Sequence, residues 1–187
     1  DANWLIDKVR NIHSQISGTA LDGNVYAAND PELLTWVHVA EVSSFMAAHL
    51  RYLNPALSLE DQDRYYAETA RVAERLGAQQ VPQSAQDIAR YLDTMRPQLR
   101  CDARTREVLL ILQRAPAPSR MAKPMGNLMM RAGIDLLPAF ATDLFGIQMG
   151  DFKRKMIRAG VNRTAPVLRW AVRNASVHRA RRRMGVL

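Results

Sequence analysis

Apolar residues recur along this chain at steps of three and four, and no segment alternates convincingly between apolar and polar, so the pattern predicts helices. The first runs from about Asn3 to Ser17, with Ile6, Val9, His13 and Ile16 on one stripe and Arg10 beside it. A second starts at Pro31, capped by Asn29 or Asp30, and ends near Asn54-Pro55. Its stripe of Leu34, Val37, His38, Glu41, Phe45 and Ala48 is expected to face the core, with Trp36 packed there too. Ser58 with Asp61 opens a third helix that closes at Gly77, with Glu60, Asp61 and Arg64 toward solvent. Further helices are expected from Pro82-Ser84 to Arg96-Pro97, over 103–114, from Met125 to Phe145 with a kink at Pro138, from Gly150 to Ala159, and from Ala165 to Met184. Between the first two lies a loop in which Asp22-Gly23 suits a tight turn. The reading is all-α, seven or eight helices in a single globular domain over 1–187.

Composition changes this picture little. Of the 187 residues 48% are hydrophobic, enough for a core, and no run of about 18 apolar residues occurs. The opening DANWLIDKVRNIH is amphipathic and lacks a methionine, which reads as part of a longer chain whose N-terminal portion is missing here. Cys101 is the only cysteine, so no disulfide forms within the chain and no cysteine cluster holds zinc. Its plainest role is at a helix junction, and a reducing, cytoplasmic setting is expected. Charge is uneven: residues 1–100 carry nine Lys/Arg against thirteen Asp/Glu, and residues 151–187 carry eleven against one. A basic helix of this kind binds nucleic acid or anionic lipid, or is a solvated face. Arg169, Arg173 and the 179–183 cluster lack interleaved aromatics, so no nucleic-acid partner is expected. Peripheral membrane contact through the C-terminal helix stays open.

Candidate chemistry centres on four histidines. His13 and His38 lie on apolar stripes, His49 sits near a helix end, and His178 lies in the arginine-rich tail. A lone buried histidine is usually a satisfied core residue. Two on consecutive helices joined by a glycine-bearing loop form a possible shared site, with Glu41 one turn from His38 as an orienting partner. A non-haem iron bundle is a second reading, with Asp63 and Glu68 as further oxygen ligands, but His38-Val-Ala-Glu41 has the usual order reversed and occurs once. No glycine-rich phosphate loop, G-x-S-x-G or H-E-x-x-H appears. The methionines at 121, 125, 129 and 130 line an apolar pocket or simply fill gaps. A non-enzymatic helical binding module with a basic C-terminal helix is the third reading.

Four stretches carry a likeness beyond these patterns. They are Val9 to His13 with Gly18; Tyr26 to His38, Y-x-A-N-D-P-E-L-L-x-W-V-H; Asp63-Arg64-Tyr65-Tyr66-x-Glu68 with Arg71-Val72-Ala73 and Leu76-Gly77; and Leu136-Leu137-Pro138. In order and spacing they resemble the catalytic domain of the MpaB and latex-clearing-protein (rubber oxygenase) family. The resemblance implies an all-α fold that binds haem b and oxidises an apolar small-molecule substrate with O2. It implies that the histidine of an Arg-x-x-His pattern, here Arg10-Asn11-Ile12-His13, is the proximal iron ligand. His13 is thus the first choice for the metal, Arg10 a catalytic and haem-site candidate, and His38 with Glu41 the second choice at the cofactor. It also implies a further helix with an Arg-x-x-x-Thr pattern on the distal side, expected ahead of Asp1.

Overall fold

A computed structural model of the chain describes residues 2–116, 119–120, 122–171 and 176–185. Met121 and Arg173 lie outside these residues, as does the side chain of His178. The architecture is all-α: nine α-helices and one small hairpin among the described residues. They fall into two compact units, 1–99 and 100–187.

In the first unit, α1 (Ala2–His13) leads into a hairpin of β1 (Ser17–Thr19) and β2 (Val25–Ala27). The loop expected here is therefore partly strand. Asp22 Oδ1 accepts from Asn24 N–H at 3.1 Å and Gly23 adopts φ +86°, which closes the turn. Strands of three residues are too short to show alternation. Gly18 pairs with Tyr26, and a Cβ on Gly18 would stand 2.6 Å from the tyrosine hydroxyl oxygen, so the ring needs a glycine beneath it.

α2 (Pro31–Tyr52), α3 (Leu59–Leu76) and α4 (Ala85–Met95) make the core of this unit. Asp30 caps α2 and accepts from Glu32 N–H at 3.2 Å. Ser58 and Ser84 use one device at the next two starts. Each hydroxyl accepts from the N–H three residues on, at 3.1 Å, and donates to the aspartate there, Asp61 or Asp87. Gly77 ends α3 in the left-handed region, φ +115°. Leu34 packs with Ala70, Ala73, Ala78 and Val81; Val39, Val42 and Met46 pack with Tyr66 and Ile88.

The face of α2 differs from expectation. Of the expected stripe Leu34 is buried, while Val37 and Phe45 are each 59% exposed and Glu41 is exposed. The buried side is Leu34, Thr35, Val39, Val42 and Met46, and Trp36 is only half-buried. Apolar residues occur around most of this helix, so two stripes compete. Packing against α3 and α4 selects the one that Thr35 serves. The Thr35 hydroxyl accepts from Gln79 N–H at 3.2 Å and lies 2.8 Å from the Gln79 carbonyl, tying α2 to the segment after α3. Glu60, Asp61 and Arg64 face solvent as expected.

After a 3-10 turn (Arg96–Gln98), the second unit holds α5 (Ala103–Arg114), α6 (Lys123–Leu136), α7 (Ala139–Phe145), α8 (Asp151–Ala171) and α9 (Ser176–Arg183). Pro138 separates α6 from α7 rather than kinking one helix, because the residue before a proline is driven to extended backbone; Leu137 has ψ 137°. Conversely, the break expected near 160–164 does not occur. Ile157 and Val161 are buried, and α8 packs along α6 with Leu128 so near that a Cβ on Gly160 would meet it at 3.2 Å. Pro166 sits inside the continuous helix. Between α6 and α8, the fully buried Asp135 carboxylate accepts from Arg158 Nε at 2.7 Å and from an Arg154 guanidinium nitrogen at 3.0 Å.

Candidate functional site

The residues proposed for chemistry from sequence lie in the first unit, on α1, α2 and α3. His13 is the last residue of α1 and is half-buried. Its carbonyl accepts from Ile16 N–H at 3.0 Å as the chain turns into the hairpin. Its Nδ1 is buried and has no hydrogen-bond partner. Arg10, one turn earlier, is exposed and lines a cleft of about 540 Å³ with Asp7, Asn11, Asn29 and Gly77. This cleft lies where the end of α1, the start of α2 and the end of α3 meet, so three of the four stretches singled out in the sequence converge on it. Neither His13 nor His38 lines it.

His38 stands on α2 at the border between the buried side and the open side of Val37, Glu41 and Phe45. It is half-buried, and its Nε2 is buried without a hydrogen-bond partner. Burial pushes its pKa below 6.5, with the Glu41 carboxylate pulling weakly the other way. Glu41 does not hydrogen-bond His38; it acts through its charge and is exposed. The same carboxylate, after burial, raises the pKa of Tyr65. Tyr65 meets Tyr66 edge to face, ring centroids 5.4 Å apart, and burial first, then Tyr65 and Asp63, push Tyr66 up to about 12.

The expectation of a shared carboxylate–histidine metal site meets a different arrangement. Asp63 Oδ1 accepts from Ala85 N–H at 2.7 Å, tying α3 to the start of α4, and Glu68 is exposed. Among the described residues no group of three or more His, Cys, Asp or Glu is placed to hold a metal ion. In the second unit Met125, Met129 and Met130 line a cleft of about 810 Å³, while Cys101 is half-buried. The buried Asp135 and the Thr35 link were not singled out from sequence. Asp135 had a legible signal, being the one acid in an apolar helix; Thr35 had none.

A comparison with known protein families matches residues 1–185 to the catalytic domain described as "ER-bound oxygenase mpaB/B'/Rubber oxygenase". The chain belongs to this family. The oxygenase-family match runs through both units, 1–99 and 100–187. No curated protein and no solved structure matches the chain. No helix among the described residues of this oxygenase-family domain is long and apolar enough to cross a membrane.

The His38 environment makes a pH prediction. Its folded pKa is depressed, so the unfolded chain binds the proton more readily. The contribution of neutral His38 is fully present above about pH 6.5 and is lost as pH falls through the lower folded value. Denaturant midpoints measured from pH 7.5 to 5 are expected to fall less steeply in His38→Gln than in the parent. Parallel curves for the two would assign the acid sensitivity elsewhere.

Proposed function

We propose that this domain is a haem b-dependent oxygenase that acts with O2 on an apolar small-molecule substrate, with both units forming one catalytic domain. The observation that carries the reading is the pair of half-buried histidines, each with a buried ring nitrogen that has no partner. A buried polar atom left unpaired is costly, and strain, an ordered water, a bound group or a functional role accounts for such atoms. The residues present fit a haem. His13 would supply the proximal nitrogen, as the family's Arg-x-x-His pattern implies. Arg10 would pair with a propionate by a charge-assisted contact. Val37 and Phe45 offer apolar surface beside His38, whose burial keeps its imidazole neutral. Bound haem supplies the iron centre at which O2 is activated.

The side chains have their own parts. His13 is half-buried at the end of α1, just ahead of the hairpin in the chain, and the Tyr26 ring seated on Gly18 holds that hairpin's shape. Val37 and Phe45 would present apolar surface to an apolar occupant beside His38. Glu41, exposed one turn away, offers carboxylate oxygens as hydrogen-bond acceptors.

The absorption spectrum of protein expressed with added haem precursor tests the proposal. A Soret band at about one haem per chain is expected. Iron without a Soret band would favour a carboxylate site, and neither iron nor haem in well-folded protein would leave a binding module.

A further inference from the structure

α8 is apolar on two sides, and one of them packs against α6. Ile157 and Val161 are buried against α6. On a second line, Phe152, Met156, Val167 and Trp170 recur at helical spacing and are 59% to 79% exposed. Together they run roughly 27 Å along the helix. Bulky apolar residues on a solvent-facing stripe need a cover. Lys153 and Lys155, both exposed, fall on either side of the stripe. Arg163 lies on it, between a Phe152–Met156 pad and a Val167–Trp170 pad. The one acid in residues 151–187 is Asp151, at the first turn of the helix. Beside Met156 a cleft of about 310 Å³ opens between α6 and α8, lined by Arg131, Lys153, Asn127, Leu128, Met156 and Ile157. Its lining combines two cations and an amide with apolar side chains.

We infer that α8 is a membrane-surface helix: it lies flat on an anionic phospholipid bilayer, with the Phe152–Met156 and Val167–Trp170 pads below the headgroups and a lipid phosphate in the Arg131–Lys153 cleft. Charge complementarity selects this occupant. A second copy docked on the stripe would set one face bearing Lys153, Lys155 and Arg163 against another, with Asp151 the one acid in residues 151–187, and like charges across an interface are repelled. A nucleic acid would take the cations but leave four apolar side chains without a role. An anionic bilayer satisfies both, because cations near its surface each contribute attraction and apolar side chains enter the acyl boundary. Arg163 reaches back to the phosphates on its long stem while its methylenes stay with the apolar pads. On α9, Arg181, Arg182 and Arg183 are exposed as well. Attachment of this kind needs no spanning helix.

Cosedimentation of the full chain with vesicles of phosphatidylcholine alone, or of phosphatidylcholine with phosphatidylserine, tests the inference. Binding is expected to be at least tenfold tighter to the phosphatidylserine vesicles and to weaken as salt rises. Phe152→Ser with Trp170→Ser should reduce it roughly tenfold or more at unchanged helicity, since both side chains are exposed. Arg131→Gln with Lys153→Gln should reduce it several-fold while leaving residual binding through the stripe. No binding to either vesicle, or stripe variants that bind like the parent, would overturn the inference. So would a dimer that the stripe variants convert to monomer, or tighter binding to duplex DNA that the stripe variants leave intact.

Discussion

Replacing Arg154 and Arg158 together by methionine is expected to cost roughly 3–5 kcal/mol, and adding Asp135→Leu to recover most of it. The Asp135 carboxylate has no solvent exposure, and the two guanidiniums reach it at 2.7 and 3.0 Å. With both cations gone the carboxylate stays buried and loses its two guanidinium partners, which is the most costly state of the three. Removing the charge as well returns an apolar contact of similar volume between α6 and α8. The arginine side chains are about a third exposed, so water softens the loss of either one alone. Denaturant melts of parent, double and triple variants measure this. A triple variant as unstable as the double would mean that the arginines act through packing of their stems rather than through the carboxylate.

This triad shows what the sequence conveyed and what it withheld. The helix starts were legible because their signals are local. Asp30, Ser58 and Ser84 are capping residues followed within one turn by an acid, and each satisfies a backbone N–H there. Gly77 was legible as a stop for the same kind of reason. Choices that depend on tertiary packing were not. Residues 160–164 read as a break, yet burial of Ile157 and Val161 against α6 carries α8 through them. At Pro138 the balance goes the other way: the steric effect on Leu137 is local and ends α6. The face of α2 could not be read because apolar residues occur around most of its turns, and periodicity cannot choose between stripes when both are apolar. The stripe through Val39, Val42 and Met46 won the contact with α3 and α4. That left His38 at an edge, beside Val37 and Phe45.

Of the candidate site residues Arg10, His13, His38 and Glu41, Arg10 alone lines the cleft at which three of the four sequence stretches meet. Arg10, Asn29 and Gly77 are far apart in the chain, and the likeness that grouped their stretches is matched by one cleft that all three line. The role expected for Glu41 as a hydrogen-bonded partner of His38 is not what the structure has; its carboxylate reaches His38 only through charge. A three-residue helical step places two side chains on one side of a helix without making them touch.

The last prediction concerns the histidines. In the haem-loaded protein, His13→Ala is expected to abolish haem retention, and His38→Ala to leave part of it with a shifted Soret maximum. The order follows from the Arg10-x-x-His13 pattern, the placement of His13 at the end of α1, and its buried Nδ1 without a partner. An imidazole that ligates through one nitrogen needs its other nitrogen held. In His13 the unpaired Nδ1 is therefore either the ligating atom or a donor awaiting a second group. The rival assignment rests on His38, whose Nε2 is the buried unpaired atom and whose pKa is lowered by burial, so that its lone pair is available at neutral pH. Haem per polypeptide, measured on both variants with helicity as the control for folding, separates the two. Full haem in the His13 variant and none in the His38 variant would move the proximal role to α2. Full haem in both would remove ligation by either histidine. Loss confined to His13→Ala and restored by exogenous imidazole would fix the ligand at the end of α1, because a diffusible imidazole replaces a missing ligand and does not repair a damaged fold.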